Sequence, residues 1–259
     1  MDRKCLGAAA WRSDIGTVGA ASQIPPDGLV CALHRLREVH IVPDDQPPEP
    51  SKLTLSKRRW ASEGKFLTGA EARPDEQRLP PGQHLVRDWP VLDLGRQPEV
   101  SRERWSLRIG GMVERPITLD WAGLMALPQT GSRSDIHCVT SWSRYDNDWD
   151  GVATADLLDL VDPRDEAVAI MLHGSDGYTT NVTLADFAAP GVLLAHSWQG
   201  KPLERQHGGP VRLVVPHLYF WKSAKWLSEI EFKGVDRPGY WEQNGYHMRG
   251  DPWTEERYS

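Results

Sequence analysis

Residues 167–198 read AVAIMLHGSDGYTTNVTLADFAAPGVLLAHSW. Within them AVAIMLHG, YTTNVTL and VLLAHSW are short runs of β-branched or alternating apolar residues parted by glycine and proline, which is strand and turn punctuation. The same texture recurs on both sides, in WSLRIGGMV (105–113), SDIHCVT (134–140), PVRLVVP (210–216) and AKWLSEIEF (224–232). Helical candidates are short: TLDWAGLMAL (118–127), with Thr118 as its expected N-cap, and TADLLDLV (154–161), with Thr154 in that role. Strands outnumber helices, so the sequence predicts an α+β domain on mixed or antiparallel sheets with short helices, against a doubly wound nucleotide fold. No GxGxxG, phosphate loop or internal repeat accompanies it.

Composition narrows the function. The chain has 259 residues, 39% hydrophobic and 25% charged, with a formal net charge of −6. An acidic excess argues against a general nucleic-acid binder, which needs clustered positive surface. The three cysteines, Cys5, Cys31 and Cys138, form no CxxC and no paired framework, so a reducing compartment is expected. The N-terminal apolar stretch is broken by Arg12, Ser13 and Asp14, and SKRRW (56–60) is followed by ASEGKF where an export signal needs an apolar run. These features predict a cytoplasmic protein. No run approaches the roughly 18 apolar residues of a membrane span. Residues 1–78 are rich in proline, glycine and charge, with one short helical candidate, GLVCALHRLREV (28–39), and read as a poorly structured extension. The domain is expected over 79–259.

Three clusters carry candidate chemistry. In DIHCVTSWSRYDNDWD (135–150), Cys138 ends a strand and is followed by Thr140, Ser141, Trp142, Ser143 and Arg144. A cysteine at a strand end reads first as a small buried hydrophobe. The polar neighbours also admit a nucleophile with His137, His207 or His217 as base, or a thiolate holding a soft metal. In RQHGGPVRLVVPHLYFWKSAKW (205–226), two glycines lie between a histidine and an arginine, and Arg212 and Lys225 bracket a strand, a bend at Pro216 and a further strand. Both cations are then expected at one sheet edge, where a phosphate would be received. The third cluster, RPGYWEQNGYHMRGDPWTEERY (237–258), puts Tyr246 and His247 in a glycine-flanked loop; an aromatic tail packed over the domain is its simpler reading.

Taken together, Cys138, HGGPVR, SAKWLSEIEF and RPGYWEQNGYH resemble the sulfite-oxidase family of molybdopterin-dependent oxidoreductases, in order and spacing as well as motif, from about Leu79 onward. The likeness is to the small bacterial members that consist of the catalytic domain alone. It implies a molybdenum–molybdopterin cofactor with Cys138 as the protein thiolate ligand and the pterin dithiolene supplying two further sulfurs. It implies cofactor contacts from His207 and Arg212, a phosphate-binding lysine in Lys225, and a tyrosine beside the metal in Tyr246. Arg87 matches an arginine that helps bind an anionic substrate. Asp88, Trp89, His137, Thr140, Tyr178, Thr180, Asn181 and Ser223 follow as further cofactor contacts by position.

The departures bear on substrate. The family's asparagine and arginine pair after the cysteine is replaced by VTSWSR, with Arg144 one step out of register, and the family's dimerisation and haem domains have no counterpart. A monomer is the resulting expectation, with a small-molecule substrate and a separate electron-transfer partner. The implied reaction is oxygen-atom transfer on a small sulfur or nitrogen oxo compound of sulfite, sulfoxide or N-oxide type, with Cys138, Tyr246, Arg87 and Arg144 as its catalytic residues. A cofactor-free binding protein that keeps the fold is the alternative.

Overall fold

The structure, a computed structural model, describes residues 77–259. The expected N-terminal helix, Cys5, Cys31 and the extension up to residue 76 lie outside the described residues. Strand β8 (Leu193–Trp198) shows how the domain is layered, because Leu193, Leu194 and Ala195 are all buried although successive side chains point to opposite faces. Leu194 joins one apolar cluster, while Leu193 and Ala195 join another. A strand covered on both faces must be central.

β8 lies in a six-stranded sheet. It pairs antiparallel with β5 (Trp142–Ala153), β9 (Lys201–Pro202) and β10 (Arg212–Val214). β5 also pairs antiparallel with β4 (Thr130–His137) and in parallel with β1 (His84–Leu85). The second sheet has five strands in the order β3 (Ile117–Asp120), β2 (Ser106–Gly111), β11 (Leu227–Lys233), β6 (Ala169–Gly174), β7 (Thr179–Thr183). Its β2–β11 pair is parallel and the others antiparallel. Among the described residues the α-helices are α1 (Trp121–Ala126), α2 (Thr154–Val161), α3 (Leu184–Phe187) and α4 (Tyr240–Gln243), all short. The expected mixed-sheet α+β architecture is therefore what the chain adopts.

The main core joins Leu107, Ile109, Leu172 and Ile230 of the second sheet to Leu157 and Val161 of α2 and to Val152, Leu194 and Leu213 of the first. On the other face of the first sheet, Trp89, Ile136, Cys138, Trp142, Trp149, Val214 and Trp221 form a second, aromatic cluster. Period-2 alternation on β10 puts Leu213 in the main core and Val214, with Arg212 two residues before it, on the aromatic face. Cys138, Trp89 and Arg212 of the candidate chemistry meet on that face.

Three local expectations are corrected. Thr118 lies in β3, and α1 is capped by Asp120, whose carboxylate accepts from Gly123 N at 2.7 Å. Thr154 is the first residue of α2, not its cap; its hydroxyl donates to the carbonyl oxygens of Phe187 and Val192, tying α2 to the neighbouring loop. No strand lies between Pro216 and Lys225: that segment is a turn and a 3-10 turn at Phe220–Lys222, and β11 begins after Lys225, at Leu227. The longest strand, β5, was unforeseen, since WSRYDNDWDGVA is dense in charge. Its inward positions include Ser143 and Asn147, both fully buried polar residues.

Asp120→Ala should lower stability by about 1 kcal/mol, the usual loss of an N-cap, and Thr118→Ala by a few tenths at most. Urea unfolding checks this, and the reverse order would reject the cap assignment.

Candidate active site

Cys138 follows β4 in the turn that leads to β5. Its N–H donates to Trp142 O at 2.8 Å, and its carbonyl accepts from Ser141 N at 3.0 Å and from the Gln83 amide at 3.1 Å. Ser141 closes the turn at φ 77°, a left-handed conformation that most side chains resist. Parallel pairing of His84 with Trp142 holds the β1 segment beside it. The turn is thus fixed from three directions, and the thiol faces a cavity of about 340 Å³. Burial pushes the thiol's pKa up, partly offset by the Thr140 hydroxyl, whose Oγ1 is 3.1 Å from Sγ, and by the charge of Arg257.

The opposite wall is built by the HGG and KW segments. Gly208 has φ 99°, and a Cβ there would sit 2.9 Å from the Cβ of Lys225, so only glycine admits the Lys225 backbone this closely. Trp226 N donates to Gly208 O at 3.1 Å, and Lys225 Nζ to Gln206 O at 2.8 Å. Arg212 bridges the two segments: its Nη1 donates to His207 O and its Nη2 to Ser223 O, each at 2.8 Å. The guanidinium is buried among carbonyls and rings, 4.3 Å from the Phe220 centroid. Burial lowers Arg212 to about 9, and burial together with Arg212 lowers Lys225 to about 8. His207 stacks on Trp89 at 3.9 Å with 9° between the planes, and its Nδ1 is buried with no hydrogen-bond partner. Two cations thus line one wall of the cavity, where an anionic group would satisfy both.

A third wall is aromatic. Trp241 stacks on Tyr246 at 5.0 Å, and Trp221 meets Tyr246 edge to face at the same distance. A buried ion pair stands behind them. Lys222 Nζ lies 2.6 Å from Glu242 Oε1, and that oxygen also accepts from Trp221 Nε1 at 2.8 Å and from the Thr180 hydroxyl at 3.0 Å. Lys222 Nζ further donates to the backbone and side-chain oxygens of Asn181.

Of the residues singled out in the sequence, the cavity is lined by Cys138, Thr140, Trp89, Tyr178, Arg212, Ser223, Lys225 and Tyr246. His207 lies directly behind Trp89. Others do not reach the cavity. Arg87 and Asp88 are exposed and outside its lining. Arg144 turns away, its guanidinium 4.7 Å over the Trp198 ring and bonded to Asn147. His137 Nδ1 bonds Ser143 Oγ at 2.8 Å. Thr180 and Asn181 serve the Lys222–Glu242 network. The histidines considered as bases for Cys138 are engaged elsewhere: His137 with Ser143, His207 on Trp89, His217 with Asp186. None of the three lines the cavity that the thiol faces, which weighs against Cys138 as a nucleophile with a histidine base. Sequence reasoning missed Trp221, Trp241, Lys222 and Arg257. FWKSAKW presents two lysines, and nothing local tells that Lys222 is the fully buried one.

Two outcomes follow. Glu242→Ala should destabilise by about 3–5 kcal/mol, since it strands a buried ammonium, whereas Lys222→Met with Glu242→Leu should recover most of that loss in urea unfolding. His207 is held neutral, with its folded pKa of about 4 below the ordinary 6.5 because of burial, Arg212 and Lys225. The unfolded chain then binds more protons between these values, so stability of the cofactor-free protein should fall as pH drops through that window, and His207→Gln should flatten the fall.

Comparison with known proteins gives the site its context. The model of the oxidoreductase molybdopterin binding domain matches residues 94–241. YuiH of Bacillus subtilis, an uncharacterized oxidoreductase, is 46% identical over 183 residues, 70% of this chain and 92% of that protein. MsrP of Gluconobacter oxydans, a protein-methionine-sulfoxide reductase catalytic subunit, is 31% identical over 171 residues, 57% of this chain and 54% of that protein. Among solved structures, the sulfane dehydrogenase SoxCD of Paracoccus pantotrophus shares the fold, with a TM-score of 0.52 at 20% identity, over 61% of this chain and 46% of that one. The residues present fit the cofactor: a free thiol faces the cavity, and the Arg212 and Lys225 cations line the same cavity, where a phosphate-bearing pterin needs charge and donors. The chain belongs to the sulfite-oxidase-type family of molybdopterin-binding oxidoreductases.

Proposed function

We propose that this enzyme transfers one oxygen atom to or from a neutral, dipolar oxo compound of sulfur or nitrogen, a sulfoxide or an N-oxide, with Cys138 as the protein ligand of molybdenum and Tyr246 as donor to the substrate oxygen. The observation that carries this reading is the wall beside the thiol. Val139, Trp221, Trp241 and Tyr246 line it, while the cations of the cavity lining are Arg212, held by the carbonyls of His207 and Ser223, and Lys225, held by that of Gln206. Arg87 and Arg144, the expected anion-binding pair, stay out of the cavity. An oxyanion such as sulfite would meet aromatic rings beside the thiol, with the lining's cations Arg212 and Lys225 given to the cofactor phosphate, whereas a neutral dipole needs one hydrogen bond and apolar contact. The name of the MsrP relative, a methionine-sulfoxide reductase subunit, supports the same class.

When bound, the molybdenum–molybdopterin group supplies the two-electron change that accompanies oxygen-atom transfer. The chain's residues hold it and shape the encounter. Arg212 and Lys225 would take the phosphate, each charged contact contributing about 1.5–3 kcal/mol, and His207 would support that wall from behind Trp89. Cys138 offers its sulfur from a turn held by hydrogen bonds with Trp142, Ser141 and Gln83, and Thr140 donates to that sulfur once it is a thiolate. Tyr246 keeps its phenolic proton at neutral pH, because burial and the neighbouring Tyr258 raise its pKa. Its O–H is then available to a developing negative oxygen. The tryptophans beside it exclude competing water.

Holoenzyme should reduce methionine sulfoxide or trimethylamine N-oxide, with a reduced dye as electron donor, at a kcat/KM at least about a hundredfold above that for sulfite oxidation with an oxidised dye as electron acceptor. The opposite order would overturn the substrate class. Tyr246→Phe should lose roughly a hundredfold in kcat at full molybdenum loading, as removal of one oxyanion-type donor does; an unchanged kcat would remove Tyr246 from the reaction. Cys138→Ala should fold but lose its metal, and Arg212→Ala with Lys225→Ala should purify with little pterin.

A further inference from the structure

Cys138 and Tyr246 sit on separate elements, and the segment 257–259 touches both. Arg257 Nη1 donates to Val139 O at 2.5 Å and lies 3.5 Å from Ser141 Oγ, so it grips the Cys138 turn from the side that Gln83 and β5 leave open. Its Nη2 reaches Pro81 O at 3.4 Å, and the guanidinium lies 5.0 Å over the ring of Tyr219. Tyr219 in turn stacks on Trp221, one of the tryptophans against Tyr246. The same segment also holds the tyrosine loop. Tyr258 forms an isolated antiparallel bridge with Tyr246, their rings edge to face at 5.4 Å. His247 N donates to Arg257 O at 3.2 Å, Ser259 N to Gly245 O at 3.1 Å, and Ser259 Oγ to Tyr246 O at 2.9 Å.

We propose that Arg257 is a positioning residue for the reaction: by joining the Cys138 turn to the Tyr246 loop, it sets the placement of the sulfur relative to the phenolic hydroxyl. This rests on the roles given above to Cys138 and Tyr246. The chemistry of the side chain suits the task. A planar guanidinium spans two carbonyls and stacks on a ring in one fixed orientation, whereas an ammonium satisfies only part of that set. The grip is also directional, since Val139 O adjoins the ligand residue itself. A shift of a few tenths of an ångström at Arg257 is passed to Cys138 through one peptide unit.

The test compares Arg257→Gln, Arg257→Lys and Tyr258→Ala with wild type as holoenzyme. Molybdenum content, the electron paramagnetic resonance signal of the half-reduced metal, and kcat and KM for the preferred substrate are measured. Arg257→Gln should keep most of its molybdenum, shift the resonance g-values and lose about tenfold in kcat with KM nearly constant, the pattern of a lost geometric contribution to the transition state. Arg257→Lys should fall between it and wild type. Tyr258 is 66% exposed, so its truncation spares the fold, and it should shift the signal in the same direction by a smaller amount. Wild-type resonance and kcat in Arg257→Gln would overturn the proposal while leaving the oxygen-transfer reading intact. If Arg257→Gln does not fold, Tyr258→Ala decides: an unshifted signal overturns the proposal. Failure of the substrate reading would appear separately, in the wild-type substrate order, and leaves the resonance comparison valid.

Discussion

Arg212 is a charged group buried with no carboxylate beside it, and the site is arranged around that fact. A guanidinium taken out of water has to recover its hydrogen bonds from the protein. It does so from His207 O and Ser223 O, which belong to different loops. Those two carbonyls draw the HGG and KW segments together, and the close approach of Gly208 to Lys225 is the steric consequence. Lys225 then lies near enough for each cation to feel the other. The pair stores unfavourable electrostatics in the free protein, which the proposed binding of a phosphate would relieve. A binding site of this kind is maintained at some cost to stability, as sites built for charged ligands are.

The aromatic wall is held differently. Glu242 Oε1 collects Lys222, Trp221 and Thr180, so one carboxylate oxygen orients an indole of the cavity and secures helix α4, which carries Trp241 toward Tyr246. The ion pair lies entirely out of water. Such pairs contribute little net stability compared with an apolar substitute but impose one arrangement on the groups around them. Here that arrangement decides which ring faces line the cavity. The two networks put cations on one wall of the cavity and aromatic rings on another, the division on which the proposed placement of cofactor and neutral substrate rests.

Much of this was legible in the chain. The strand texture of 167–198 and its flanking runs led to the mixed-sheet domain, because period-2 alternation and β-branched residues report pleated, half-buried backbone wherever one face is apolar. HGGPVR and the KW pair were legible for a related reason: glycines between a histidine and an arginine mark close backbone approach. β5 was not legible, since its buried positions include Ser143 and Asn147, whose burial is made tolerable by partners on other strands. The caps of α1 and α2 were misplaced by a few residues, because a threonine before an apolar run is only a local signal and β3 extends through Thr118.

Residue type and order alone determined the fold class, the thiol at the end of β4 and the cationic loops, because these depend on local pattern and on chemistry that each side chain carries with it. Which arginine serves the site was decided only by tertiary structure. Arg87, Arg144 and Arg257 are alike as letters in a sequence; packing turns one to solvent, lays one on Trp198 and brings the third to the Cys138 turn. The same holds for Lys222 against Lys225. A charge acts through distance and desolvation, and both are set by where the sheets bring distant segments together.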